Sequence, residues 1–325
     1  MKKSFILIAA SLCICLSGII LISNHNAEDV ANDEKNSPLV ASMTASVEVP
    51  SEVTFAGEKL KLDRYDLYER YDREINSFTY LHSSTLLIIK KANRYFPIIE
   101  PILKANGIPD DFKYLAVIES MLNPRAISTA KAAGLWQFMP STATQYGLEV
   151  SSQVDERYSV EKSTVAACKY LKNAYNRYGN WASVAMSYNA GMGRISSELE
   201  QQQVEDSTDL WLVEETSRYY FRMLAVKSIF ENPKRYGYII KAEQLYKPID
   251  FKEVRVRESV SDLATFAQNN GITYAQLKDF NSWLRDRSLT INPKKPKEYT
   301  ILIPTQESLY YDGKVKVHDK NWVRN

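Results

Sequence analysis

The apolar and polar positions divide the chain into segments of different character. Residues 5–22 form an uncharged apolar run behind the basic start MKKS. A run of this length with positive charges before it predicts an export signal or a single membrane anchor within residues 1–27. A lipid-modified Cys13 or Cys15 is a third, less favoured alternative, because neither follows a small residue. Residues 28–58 are polar, small and aperiodic, which predicts a flexible linker.

Helical periodicity dominates from residue 59 to residue 248. The segment STLLIIKKANRYFPIIEPILKANGIP has apolar residues at helical spacing, with Pro97 and Pro101 inside it. The two prolines predict a break or a kink, and Gly107 predicts the end of this helix.

Further helices are predicted after this one. DDFKYLAVIESML is expected to begin at an Asp N-cap and to end at Asn123-Pro124. SVEKSTVAACKYLKNAYNRYG opens with a capping Ser and closes on Gly179. NWASVAMSYNAGMG predicts a short helix that ends between Asn189 and Gly193, and DLWLVEETSRYYFRMLAVKSIFENP predicts a long one.

The pattern changes after Pro248. FKEVRVRESV alternates apolar and polar residues as a strand does, and KEYTILIP predicts a second strand. Between them, SDLATFAQNNG and TYAQLKDFNSW predict two short helices separated by Gly271. Residues 249–305 are therefore predicted to form a small βααβ domain, followed by a polar tail at residues 306–325.

Composition narrows the classes of function. The formal net charge of +2 over 325 residues gives no reason to expect nucleic-acid binding. Cys168 is the only cysteine outside the N-terminal apolar run, and the three histidines are scattered. Neither a metal nor another cofactor is expected from such a set. The 21 tyrosines suit half-buried positions and wet sugar-binding grooves.

A lone carboxylate lies in the segment VIESMLNPRAISTAKAAGLWQFMP. Glu119 has Leu115 and Ala116 one helical turn before it and Leu122 three residues after it. A desolvated carboxyl has a raised pKa, so it can donate a proton to the leaving oxygen of a glycosidic bond near neutral pH. On residue type alone the alternative is a surface glutamate, because most Glu side chains are exposed.

The residues after Glu119 fit a sugar ligand. The helix end leaves the acid facing a loop of small residues, AISTAKAAGLW, which a sugar ring could approach closely. Gln137 offers an amide, and Trp136, Phe138 and Met139 offer an apolar floor. A neutral sugar rich in hydrogen-bonding groups is the ligand that such a lining suits.

Four ordered motifs closely resemble those of the soluble lytic transglycosylase family. They are ES-x-x-NP-x-A-x-S from Glu119 to Ser128, AAGLWQFMPSTA from Ala132 to Ala143, SYNAG from Ser187 to Gly191, and ET-x-x-Y from Glu215 to Tyr219. The resemblance covers roughly residues 81–238. The ending ENPKRYG is similar to the membrane-bound lytic murein transglycosylase D branch of the family.

The resemblance implies a mainly α, lysozyme-like catalytic domain at residues 59–248. It also implies cleavage of the β-1,4 bond between N-acetylmuramic acid and N-acetylglucosamine in peptidoglycan, without water, to leave a 1,6-anhydromuramyl end. The family's motif glutamate acts first as acid and then as base, and it matches Glu119. The same matching gives the residues expected to line the sugar subsites or lie near the groove: Ser128, Gln137, Met139, Tyr188, Asn189, Glu215 and Tyr219.

Carboxylates are scarce where the walls of the site are expected. Ordinary glycoside hydrolysis uses two carboxyl groups, but residues 120–148 and 179–197 contain no Asp or Glu. The nearest rivals in sequence are expected to be structural: Glu149, Asp155 and Glu156. Glu215 is the residue most able to overturn a one-acid mechanism. The alternatives are a hydrolytic lysozyme of the same fold and a non-catalytic peptidoglycan-binding scaffold.

The βααβ segment resembles a LysM domain through the spacing LA-x-x-A-x-x-x-G-I-x-x-x-x-L-x-x-x-N. Glu258, Ser259 and Val260 replace the family's usual Gly-Asp-Thr opening. Two roles therefore stay open for this domain, glycan binding and packing against the catalytic domain.

Three further expectations complete the prediction. Lys131, where many transglycosylases have Gly, is expected to be a solvated loop lysine, and Trp181 and Trp211 are expected in the core. The protein is expected on the periplasmic side of the cell envelope, with peptidoglycan glycan strands as its partner. The membrane is a partner if the N-terminal segment is retained, and a cell-wall synthase or amidase is a further partner left open.

Overall fold

A β-hairpin opens the part of the chain that the structure, a computed structural model, describes, which is residues 45–324. Strand β1 (Glu52–Phe55) pairs antiparallel with β2 (Glu58–Lys61). Ala56 and Gly57 form the turn, and both have positive φ. A two-residue hairpin needs this conformation, because its twist then matches that of the strands.

The hairpin corrects the flexible linker predicted for residues 28–58. Phe55 is fully buried against the rings of Phe112 and Tyr220, and the Ala56 N–H donates to the Asp111 carboxylate over 2.7 Å. Burial of one aromatic side chain contributes about 1.5–3 kcal/mol, which holds residues 52–58 on the domain. The predicted signal or anchor and residues 28–44 of the predicted linker lie outside the described residues.

Helices form the framework of the larger domain and share one hydrophobic core. In chain order they are α1 (Tyr65–Tyr80), α2 (His82–Ala105), α3 (Lys113–Ser120), α4 (Pro140–Gln145), α5 (Val160–Tyr178), α6 (Trp181–Ala190), α7 (Met192–Gln202) and α8 (Glu214–Glu231). Helix α8 packs against α1, α3 and α6, so it joins the separate parts of the core.

Helix α2 runs without interruption through Pro97 and Pro101, so the predicted break does not occur. Each proline removes a backbone hydrogen bond from a helix. The neighbouring Phe96 and Ile99 are fully buried, and the packing of this face maintains the helix. The helix ends just before Gly107, which has the left-handed conformation expected at a helix end.

The start of α3 also differs from the prediction. A short 3₁₀ turn, Asp110–Phe112, precedes the helix, and no side chain caps it. Asp111 instead accepts a hydrogen bond from Lys227 over 2.7 Å. The helix ends at Ser120, four residues before the proline that the sequence indicated, and Met121 and Leu122 after it both adopt φ 51°.

The caps of α5 and α6 agree with the sequence. Ser159 and Asn180 each accept a hydrogen bond from the backbone N–H three residues on, and Gly179 closes α5 in the left-handed conformation. Helix α6 ends at Ala190, as predicted. Helix α7 begins two residues later and was not predicted.

The C-terminal segment forms the predicted βααβ domain. Its elements are β3 (Phe251–Val256), α9 (Leu263–Asn269), α10 (Tyr274–Phe280) and β4 (Tyr299–Pro304). The two strands pair antiparallel, with Phe251 opposite Pro304. Asp262 and Thr273 cap the two helices with their side chains.

The polar tail predicted for residues 306–325 is docked on the helical domain, a contact that the sequence did not indicate. Trp322 is buried beside Phe96, and its indole N–H donates to the Phe230 carbonyl over 3.0 Å. His318 contacts the Glu100 carboxylate at 2.9 Å. One Trp among polar residues has no periodicity, so the pattern gave no signal for this contact.

The helical domain and the βααβ domain belong to one compact unit that begins at Val47. None of the helices within residues 45–324 is both long and apolar enough to cross a membrane. The predicted class, mainly α with a small C-terminal βααβ domain, is confirmed.

Candidate active site

Glu119 lies at the C-terminal end of α3 and is half-buried. Leu115 and Ala116, one turn before it, and Leu122, just beyond the helix, are fully buried. Burial raises the pKa of Glu119 from the ordinary 4.5 to about 7. A carboxyl with this pKa still carries its proton in about half of the molecules at neutral pH, and a general acid needs that proton.

Tyr219, on α8, donates a hydrogen bond to Oε1 of Glu119. Burial, followed by the charge of Glu119, raises the pKa of the Tyr219 hydroxyl well above 10, so it keeps its proton and stays a donor. A hydrogen bond to a carboxylate favours the charged form. Tyr219 therefore opposes the effect of burial and lowers the pKa of Glu119.

Two charged residues lie on α8 near Tyr219. Glu215 is exposed, and its negative charge raises the pKa of Glu119, whereas the positive charge of Arg222 lowers it. Spacings of four and three residues place Glu215, Tyr219 and Arg222 on one face of the helix. Arg222 also faces the buried carboxylate of Glu74 at 3.6 Å.

Tyr188 and Asn189 lie at the C-terminal end of α6. The Tyr188 hydroxyl donates to the Trp136 carbonyl over 2.8 Å, and burial, followed by the charge of Glu119, raises its pKa well above 10. Asn189 Oδ1 accepts a hydrogen bond from the Thr216 hydroxyl over 2.8 Å. The two side chains thus connect α6 to the Trp136 backbone and to the first turn of α8.

Residues 126–138, which we call the site loop, contact Tyr188, whose hydroxyl pKa is raised in part by the charge of Glu119. Two isolated β-bridges, Ile127 with Ala133 and Ala133 with Phe138, fold the loop on itself. Ser128 Oγ accepts a hydrogen bond from the Ala132 N–H over 3.0 Å. The ring of Phe138 lies 6.0 Å from that of Tyr188, which joins the loop to the end of α6.

Gln137 holds the site loop from inside. Its amide nitrogen donates to the Gly134 carbonyl over 2.8 Å and to the Ala126 carbonyl over 3.3 Å. Within the described residues its Oε1 takes no protein hydrogen bond, so this oxygen is free to accept one from a ligand. Met139, just after the loop, has a side chain that is 41% exposed.

The backbone around Glu119 is strained. Met121, Leu122, Lys131 and Gln137 have φ values between 46° and 70°, a region that L-residues with side chains rarely occupy. Strained backbone of this kind clusters at functional sites, where the surrounding structure holds the residue in its unfavourable conformation. The φ of 70° at Lys131 also gives a physical reason why Gly suits this position; its side chain is exposed, as expected.

The other carboxylates close in sequence are engaged in ion pairs. Asp155 pairs with Arg157 at 2.7 Å and Glu156 with Lys162 at 2.5 Å. Glu149 pairs with Lys297. Within residues 45–324, no three His, Cys, Asp or Glu side chains are grouped so that they could hold a metal ion.

The structure brings the predicted residues together in two groups. Glu119, Tyr219, Tyr188 and Glu215 interact directly or through charge, and Ser128 and Gln137 lie on the adjoining site loop. Sequence reasoning missed the roles of Thr216, Arg157 and Arg222, whose partners are distant in the chain. The prediction that Trp211 is a core residue is wrong, because its side chain is 87% exposed, whereas Trp181 is buried as predicted.

Comparison with protein-family models matches residues 96–210 to the transglycosylase SLT domain. This chain contains a transglycosylase SLT domain. Residues 252–307 match the soluble lytic transglycosylase C-terminal LysM-like domain. The matches confirm the resemblance inferred from the sequence motifs. Glu119, the site loop and the end of α6 lie inside the SLT match, and α8 follows it.

Two curated relatives are the membrane-bound lytic murein transglycosylase D proteins of Escherichia coli strains K12 and O6:H1. Each is 31% identical over 244 residues, which cover 72% of this chain and 52% of the relative. The chain therefore spans about half the length of these relatives. The solved 70 kDa soluble lytic transglycosylase of Escherichia coli is 25% identical, with a TM-score of 0.38 over 42% of this chain and 24% of that one.

Proposed function

We propose that this protein is a lytic transglycosylase of peptidoglycan. It cleaves the β-1,4 bond between N-acetylmuramic acid and N-acetylglucosamine without water and leaves a 1,6-anhydromuramyl end. The observation that carries this proposal is the half-buried Glu119, hydrogen-bonded by Tyr219 and with a pKa of about 7. Such a group has a proton to give and forms a carboxylate that can take one back. The SLT match and the murein transglycosylase relatives support the same reaction class.

A single carboxyl is sufficient for this reaction. Protonated Glu119 gives its proton to the bridging oxygen, which keeps the electron pair as its bond to muramyl C1 breaks. The Glu119 carboxylate then takes the proton of the muramyl C6 hydroxyl while O6 forms a bond to C1. Glu119 ends in its starting state and no water is consumed. Tyr219 stabilises the carboxylate between the two steps.

The remaining residues position the sugar chain in this proposal. Ser128, Gln137 and Met139 contact the sugars from the site loop and the residue after it, and Tyr188 and Asn189 do so from the C-terminal end of α6. Neutral amide and hydroxyl groups with an apolar floor suit the acetamido groups and ring faces of the glycan strand.

Hydrolysis is the second candidate, and one observation favours it. Glu215 is an exposed carboxylate whose negative charge raises the pKa of Glu119, and hydrolysis would need such a second carboxylate as the base toward water. The two reactions differ by one water in their products. Digestion of purified peptidoglycan in heavy-oxygen water distinguishes them: transglycosylation gives anhydro products without the label, and hydrolysis gives labelled reducing ends.

We place this activity on the periplasmic side of the cell envelope. The relatives are named as membrane-bound murein enzymes, and the N-terminal residues 5–22 are apolar. The glycan strand is the proposed partner, and a synthase or amidase of the cell wall remains a proposed one. Fractionation of cells that express the full chain tests this location: recovery with the cytoplasm would contradict it.

A further inference from the structure

Residues 150–158, which we call the bridging segment, connect the LysM-like domain to the site loop. Toward the LysM-like domain, the Asp155 N–H donates to the Trp283 carbonyl over 2.9 Å. Val154 forms an antiparallel β-bridge with Leu284. Backbone contacts therefore join the bridging segment directly to the LysM-like domain.

Side chains reinforce this boundary. The Gln153 amide nitrogen donates to the hydroxyls of Ser288 and Thr290, each over 3.3 Å. The guanidinium of Arg285 lies 4.2 Å from the centre of the Tyr158 ring. The bridging segment is thus held by several independent contacts with the LysM-like domain.

The other side of the bridging segment holds the site loop. Asp155 receives two hydrogen bonds from the Arg157 guanidinium, over 2.7 and 2.9 Å. Arg157 Nη1 donates to the carbonyls of Lys131 and Phe138, over 2.8 and 3.0 Å. One guanidinium therefore fixes two points of the site loop, one on each side of the Gly134 turn.

The geometry of this contact leaves little freedom. Asp155 and Arg157 are both buried, and a buried ion pair is favourable only when its hydrogen bonds are satisfied and well aligned. A Cβ at Gly134 would lie 1.8 Å from the Arg157 carbonyl oxygen. Ala133, at the centre of the site loop, is fully buried in the same hydrophobic cluster as the LysM-like core.

We propose that the LysM-like domain positions the substrate-binding wall of the SLT site, with Asp155 and Arg157 as positioning residues. The domain fixes the bridging segment, Asp155 orients Arg157, and Arg157 fixes the backbone that carries Ser128 and Gln137. The aromatic side chains of this domain that face the boundary are used for packing: Trp283 and Tyr299 are both buried. The inference rests on the proposed function in assigning the site loop to the glycan strand.

The test uses the full chain with two substitutions on this path. Asp155→Asn keeps the shape and removes the charge that orients Arg157, and Gln153→Ala weakens the boundary without touching Arg157 or the loop. We expect amide hydrogen exchange at Ala133 and Phe138 to rise by about tenfold in Asp155→Asn and in the same direction in Gln153→Ala. We expect KM for glycan strands to rise by roughly fivefold, while the pH midpoint of kcat, set by Glu119, stays in place.

The matched control is Gln306→Ala. It removes a hydrogen bond within the LysM-like domain, to the Gly271 carbonyl over 2.8 Å, and leaves the contacts with the bridging segment in place. The proposal is overturned if exchange in the site loop of Asp155→Asn and Gln153→Ala equals that of Gln306→Ala and of the wild type at equal melting temperature. Hydrogen exchange does not depend on turnover, so an inactive wild-type chain would refute the proposed function and leave this test intact.

Discussion

The proton affinity of one carboxyl, that of Glu119, is set by three neighbours and by burial. Desolvation raises its pKa, Tyr219 lowers it, Glu215 raises it and Arg222 lowers it. The lone acid in an apolar segment is visible in the sequence, because its surroundings on one helix are local. The hydrogen bond from Tyr219 joins residues 100 positions apart, and no local pattern could have indicated it.

Tyr219→Phe is expected to move the alkaline limb of the pH profile upward. The hydroxyl stabilises the Glu119 carboxylate, so its loss raises the pKa of Glu119, and the acid stays protonated to higher pH. A shift on the order of one pH unit in the midpoint of kcat is expected for one lost hydrogen bond to a charged group. Steady-state rates on soluble glycan strands across the pH range measure it.

The control for this shift is Tyr238→Phe, a buried tyrosine whose hydroxyl donates to the carbonyls of Phe78 and Thr79. Its pH profile should match that of the wild type. A downward shift in Tyr219→Phe, or an equal shift in both variants, would rule out the role given to Tyr219.

Lys131→Gly is expected to stabilise the protein. The φ of 70° at Lys131 costs a side-chain-bearing residue about 1 kcal/mol, which glycine does not pay. The greater entropy of glycine in the unfolded chain offsets part of this gain. The net increase in the free energy of unfolding should be about 0.5 kcal/mol. Urea unfolding measures this change. Lys131→Ala keeps the strain, and a comparable gain there would contradict the explanation.

At the scale of elements, prediction succeeded where the determinants are local. The capping residue Ser159 accepts a hydrogen bond from the N–H of Lys162, so the start of α5 could be read directly from the sequence. Pro97 and Pro101 predicted a break or a kink in α2; the break does not occur, because burial of the neighbouring residues outweighs the low helix propensity of proline. The site loop has no periodicity, and part of what holds it, the guanidinium of Arg157, lies outside the loop.

Gly134→Ala is expected to distort the site loop. The added Cβ would lie 1.8 Å from the Arg157 carbonyl oxygen, and φ at this position is 80°. Overpacking and strain together should lower the free energy of unfolding by about 1–3 kcal/mol, as measured by chemical denaturation.

Gly193→Ala is the matched control, because a Cβ there meets nothing within 4 Å. Within helix α7 the change should be neutral or stabilising, by up to about 1 kcal/mol. Equal destabilisation by the two substitutions would show that the close approach of Gly134 to Arg157 is not the cause.

At the scale of the whole molecule, segments far apart in sequence contribute side chains to one hydrophobic core. The hairpin at residues 52–61 and the tail around Trp322 both bury aromatic side chains in the core of the helical domain. Neither was predicted, because each segment is mostly polar and buries two residues in that core: Val53 and Phe55 from the hairpin, and Trp322 and Val323 from the tail. Tertiary burial, rather than local pattern, decides their structure.

Trp322→Ala is therefore expected to destabilise the helical domain from the far end of the chain. Removing a fully packed Trp costs about 3–5 kcal/mol, and the loss should appear in denaturant unfolding of the full chain. Trp211→Ala is the matched control, since its side chain is 87% exposed and should change stability by less than about 0.5 kcal/mol. Similar effects of the two substitutions would contradict the docked tail.

The measurement that tests the central claim most directly is the turnover of purified peptidoglycan by Glu119→Gln beside Glu215→Gln, with the product masses recorded. Glutamine keeps the shape of each side chain and removes its ability to transfer a proton. The account predicts that Glu119→Gln forms no product while still binding glycan strands, and that Glu215→Gln still forms anhydro ends. Turnover by Glu119→Gln, or reducing ends that disappear with Glu215→Gln, would contradict it.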